Sequence, residues 1–139
     1  MRNLILLLLV MLMCSGLASA QDDNACLDFT DSLLEMGDIV GDNIPVPEDE
    51  SGPLLQKYLA MTGARQFLSD SLRDEVPCHE EPAFNLFYAT LTYQDYITLR
   101  LGQKLDKSLP DVVSLLELTL EVADSQFDAY AAFWEPPDA

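Results

Sequence analysis

Apolar residues recur three and four positions apart along most of this chain, the spacing that lines one face of an α-helix. Phe29, Leu33 and Met36, with Cys26 one turn earlier, predict a short amphipathic helix over 24–36, and Gly37 is placed to end it. Residues 37–52 hold Gly37, Gly41, Pro45, Pro47, Gly52 and the acidic run 48–50, and read as a loop. Ser51 then caps a helix that has Pro53 in its first turn. Leu54, Tyr58, Met61, Leu68 and Leu72 line its apolar face, and Leu55, Leu59 and Phe67 widen that face. Gly63 marks a site for a break or kink, and Pro77 stops the helix. A short aromatic helix over 82–90 carries Phe84, Phe87 and Tyr88.

Thr92, with Asp95 three positions on, forms a near capping box and opens a helix that runs to about Ser108. Pro110 and Asp111 open the last helix, which runs to about Trp134 and is closed by Pro136-Pro137. Its stripe is Val113, Leu116, Leu120, Ala123, Phe127, Tyr130 and Trp134, where small Ala123 marks a close approach by a neighbouring helix. Period-two runs of β-branched residues are absent. The fold class expected is all-α, a small bundle of four to five helices.

The first twenty residues follow another pattern. Arg2 precedes an unbroken apolar run, Leu4 to Met13, and Ala18-Ser19-Ala20 is a small-x-small cleavage site. This reads as a cleaved secretory signal peptide over 1–20, and the run is too short for a spanning helix of about 20 residues. The expected product is a single exported domain, 21–139, periplasmic if the host is bacterial and otherwise secreted. Two cysteines remain in it, Cys26 and Cys78, and in an oxidising compartment they read as one disulfide. Closing a loop of that length contributes about 4 kcal/mol in the chain-entropy picture.

Charge then divides the domain. Residues 21–56 hold ten acids and no base, 57–107 hold seven acids and all six bases, and 108–139 hold seven acids and no base. The whole chain, 24 acids against 7 bases, argues against nucleic acid and against anionic lipid surfaces, both of which require clusters of Lys and Arg. One local pattern predicts pairing. Arg100, Lys104 and Lys107 share a face of one helix, and Glu117, Glu121, Asp124 and Asp128 share a face of the next. An antiparallel hairpin turning near Leu109-Pro110 places Lys104 against Glu117 and Arg100 against Glu121.

Two strings carry a family resemblance. Leu59-Ala60-Met61-Thr62-Gly63-Ala64 and Gly102-Gln103-Lys104, the latter followed by Pro110, resemble the bacterial periplasmic helical proteins of the domain-of-unknown-function 2059 family over roughly 54–125. The stretch Thr98-Leu99-Arg100-Leu101 departs from that family's pattern before its Gly-Gln-Lys. The resemblance implies an exported bacterial helical domain and supplies no activity or catalytic residue.

The densest cluster of reactive side chains is Cys78-His79-Glu80-Glu81, which contains the single histidine. A metal reading would join His79 to Glu80 or Glu81, but adjacent residues rarely point at one ion, and a disulfide-bonded Cys78 is no thiolate ligand. A hydrolase centred on His79 lacks any strained Gly-x-Ser-x-Gly elbow. Glu48-Asp49-Glu50 has carboxylates for calcium but not the spacing of an EF-hand. Phe84, Tyr88, Tyr93 and Tyr96 read either as core or as the lining of a ligand pocket between helices. No catalytic residue, metal or cofactor is assigned. The function expected is a non-enzymatic binding module whose acids Asp28, Asp31, Glu35, Glu48, Asp49 and Glu50 face a basic protein partner, as an inhibitor, immunity or envelope accessory protein. A small-ligand carrier is the alternative, and the His79 hydrolase a third.

Overall fold

The computed structural model describes residues 23–106 and 112–137, which form four helices with no strand among them. We label these α1 (23–42), α2 (Ser51–Arg73), α3 (Glu80–Leu105) and α4 (Val113–Trp134). The expected signal peptide and the 107–111 link lie outside the described residues.

α1 runs six residues past the expected stop because Gly37 serves packing rather than termination. A Cβ at Gly37 would overlap the Tyr130 side chain, whose Cζ lies 2.6 Å from that position. The Tyr130 hydroxyl instead donates to the Leu33 carbonyl at 3.2 Å, one turn back along α1. Gly41 repeats the device against Phe127, whose ring edge would meet a Cβ at 3.2 Å. The two glycines thus form a groove for the aromatic stripe of α4, and the connection to α2 shortens to 43–50.

α2 is unbroken through Gly63, which faces open space. Ser51 lies inside its first turn and the cap position falls to Glu50, whose side chain makes no capping hydrogen bond. Leu54, Met61 and Leu68 are buried as expected, with Ala64 among them, while Leu55 and Leu59 face solvent.

α3 joins the two helices expected over 82–90 and 92–108. No glycine or proline interrupts residues 83–101, and the expected capping residue satisfies itself within the helix. The Thr92 hydroxyl donates to the Tyr88 carbonyl at 2.7 Å, as Thr90 and Thr98 do to Leu86 and Gln94. α3 packs against both α2 and α4. The main core gathers Phe29, Leu33, Val40, Met61, Leu68, Leu86, Tyr93 and Tyr130. A second cluster of Leu54, Tyr96, Ile97 and Leu116 fills the far end. Buried Gln94 ties α3 to α2, donating to the Tyr58 carbonyl at 3.0 Å and the Thr62 hydroxyl at 3.2 Å. The Cys26–Cys78 disulfide joins α1 to the α2–α3 connection, with Cα atoms 5.5 Å apart.

Candidate acidic interaction surface

Asp28, Asp31 and Glu35 recur three and four apart on α1, so they share the face turned away from Phe29 and Leu33. All three are exposed, and Asp38 and Asp42 continue the face. Among the described residues no base forms an ion pair with any of them. Glu48 and Glu50, on the connection to α2, are exposed too.

Asp49 departs from this set. Its side chain is only 13% exposed and turns inward, accepting the Val46 N–H at 2.9 Å and the Lys57 ammonium. Burial opposes its charge, but the Lys57 hydrogen bond and the Val46 N–H outweigh burial and hold the carboxyl below its ordinary value. Lys57 also donates to the Ile44 carbonyl at 3.0 Å. The 43–50 connection is therefore pinned from inside, and Asp49 is spent on that fastening. The carboxylates of 48–50 do not converge into a cluster able to hold an ion.

On α4, Glu117, Glu121, Asp124 and Asp128 form a second exposed stripe, and with Leu120 and Ser125 they line an open groove of about 490 Å³. The ion pairs expected here are absent: neither Arg100 with Glu121 nor Lys104 with Glu117 is joined among the described residues. Two reasons are visible. The α3–α4 register differs by about one turn, with Tyr93 bonded to Asp124 and Thr92 to Gln126. Arg100 is also engaged elsewhere, donating to the Pro47 carbonyl at 3.0 Å and the Gln103 side-chain oxygen at 2.7 Å. The Asp124 carboxylate accepts the Tyr93 hydroxyl at 2.7 Å. Burial, then the hydrogen bond and charge of Asp124 and the charge of Asp128, push the Tyr93 phenol upward.

The four aromatics expected to line one pocket disperse. Phe84 stacks on half-exposed Tyr88 with ring centres 6.1 Å apart, Tyr93 is in the main core, and Tyr96 belongs to the second cluster. Of the four, Tyr96 borders a cleft of about 220 Å³, shared with Pro47, Arg100, Val113, Leu116, Glu117 and Leu120. The buried Arg100 Nε beside it has no hydrogen-bond partner. His79 packs edge-on to Phe133 and Trp134, with ring centres at 5.4 and 5.1 Å, and no serine or carboxylate bonds its ring among the described residues. The inward fastening by Lys57 and Arg100 is what sequence reasoning missed; the only signal for it was that all six bases lie in the middle of the domain. No protein-family model matches this chain, and no match was found among curated proteins or solved structures.

Proposed function

We propose that this protein is an exported, non-enzymatic binding module that presents acidic surfaces to a basic protein partner. One observation carries the reading: three of the domain's six bases, Lys57, Arg73 and Arg100, are turned to the protein's own acids and carbonyls. Lys57 is spent on Asp49, Arg73 on Asp70 and Asp74, and Arg100 on Pro47 and Gln103, while the α1 and α4 acids have no base against them among the described residues. Such surfaces steer and orient a cationic partner. The surface engaged is the α1 face, Asp28, Asp31 and Glu35, continued by Glu48 and Glu50. The apolar run and small-x-small site at 1–20 and the disulfide support export.

The test starts from capture of partners from envelope or secreted fractions, followed by affinity measurements on the purified pair. Binding should weaken steeply with salt, and the triple variant D28K/D31K/E35K should lose at least about tenfold in affinity, about 1.4 kcal/mol. Equal affinity for that variant and the parent protein would refute the α1 assignment. Export is checked separately, by N-terminal sequencing of the exported chain, which should begin at Gln21.

A second reading, a small-ligand carrier, is favoured by the cleft at Tyr96. Its unpartnered Arg100 Nε and the apolar Leu116 and Leu120 suit a small anion with an apolar body. Binding of that kind should survive D28K/D31K/E35K and be lost in Arg100→Met.

A further inference from the structure

We infer that Cys26, Cys78 and His79 form a redox-gated metal site: a disulfide when oxidised, and a zinc site of two thiolates and one imidazole when reduced. The inference is independent of the acidic surface. The residues come from two places in the chain, Cys26 on α1 and Cys78-His79 where the α2–α3 connection meets α3. Both sulfurs and a ring nitrogen of His79 lie within 4.8 Å of one another, and all three residues are partly buried. No other group of three or more such side chains gathers among the described residues.

Backbone conformation explains how sequence neighbours reach one centre. His79 adopts φ 56° and ψ 42°, the left-handed region that non-glycine residues rarely enter. At that turn His79 lies beside Cys78 and also within reach of Cys26. Phe133 and Trp134 of α4 pack edge-on against the imidazole. The Thr30 hydroxyl, which donates to the Cys26 carbonyl at 2.7 Å, lies 4.0 Å from the Cys26 sulfur and 3.9 Å from that of Cys78, so a polar side chain borders both sulfurs.

Chemistry selects the ion. Zinc is held by thiolates at about 2.3 Å and by imidazole at about 2.0 Å, which sets tetrahedral donors roughly 3.3–3.8 Å apart. Small side-chain rotations reach that spacing from donors already within 4.8 Å, on cysteine Cα atoms 5.5 Å apart. Three protein donors leave a fourth position for water. Gating follows from electron count. A dithiol reductant delivers two electrons and two protons to the disulfide and itself becomes a disulfide. The S–S bond breaks and two thiols form. Zinc then displaces both thiol protons to solvent, forming two Zn–S bonds, and the lone pair of neutral His79 makes the Zn–N bond.

The experiment uses the full chain, reduced without oxygen by a phosphine, which becomes phosphine oxide with oxygen taken from water. Cobalt(II) serves as the visible probe for the zinc position. Reduced protein should develop a thiolate-to-cobalt band saturating at one cobalt per chain and displaced by zinc(II), with its helical circular dichroism retained. Oxidised protein should show no such band. His79→Asn, which keeps a residue tolerant of the left-handed conformation, should weaken cobalt binding by at least about tenfold. As a second readout, zinc should shift the imidazole resonances of reduced protein, which has a single histidine to observe. The inference is overturned by a reduced, folded chain without the band, by equal cobalt affinity in His79→Asn, by an unmoved imidazole signal, or by a band confined to chain that has lost its helices.

Discussion

Two helical glycines carry opposite expectations. Gly37 has no room for a methyl group because Tyr130 occupies the space, whereas Gly63 faces nothing within 4 Å. Gly37→Ala should destabilise the fold by about 1–3 kcal/mol, the range for overpacking a filled interior. Gly63→Ala should stabilise it by about 0.5–1 kcal/mol, since alanine loses less backbone entropy in a helix. Urea midpoints of the two variants against the parent decide both. The phenols give a pH prediction. Burial pushes Tyr130 up to about 12, helped by the charge of Asp38, and Tyr93 is raised further. A phenol whose folded pKa is raised favours the protonated fold, so its stabilisation is complete below the unfolded value of about 10 and is lost as pH rises beyond it. Stability should therefore fall between about pH 10 and 12. Tyr93→Phe should flatten part of that fall when urea unfolding is repeated across the range.

At the scale of elements, the 43–50 connection is where composition misleads most. Its prolines and acids resemble a solvated loop, yet Pro45 is buried, Asp49 is fastened to Lys57, and Arg100 holds the Pro47 carbonyl. Lys57→Met should remove the inner fastening while keeping the aliphatic stem. Amide hydrogen exchange over 44–50 should then accelerate by about tenfold or more, for a hydrogen-bonded ion pair of roughly 1.5 kcal/mol. Unchanged exchange there would show that Arg100 and the buried proline suffice. The expected ion pairs between α3 and α4 illustrate a different limit. Helical periodicity placed Arg100, Glu117 and Glu121 on the correct kinds of face, but a one-turn change of register separates opposition from contact.

For the whole molecule, the dominant quantity is the net charge of −17. Repulsion among the α1 and α4 acids opposes compaction, and salt screens it. The Debye length shortens from about 30 Å at 0.01 M to about 8 Å at 0.15 M ionic strength, so the melting temperature should rise over that interval. A melting temperature that falls with salt would mean that attractive pairs outweigh the repulsion. The disulfide acts against the same repulsion by holding α1 near the start of α3.

What the sequence determined by itself follows from periodicity and composition. The all-helical class, the buried faces built on Leu33, Leu54, Met61, Leu68 and Tyr130, the Cys26–Cys78 pair and the acidic character of both ends are properties of residue types and spacings. Tertiary structure alone decided that Gly37 is a contact rather than a terminus, that residues 82–90 and 92–105 are one helix, that Asp49 faces inward, and that His79 lies beside the paired sulfurs. Each of these depends on what sits opposite: Tyr130, the packed faces of α2 and α4, Lys57 and Cys26. A one-dimensional pattern specifies which side of a helix is apolar, but only the packed chain specifies which atoms meet across it.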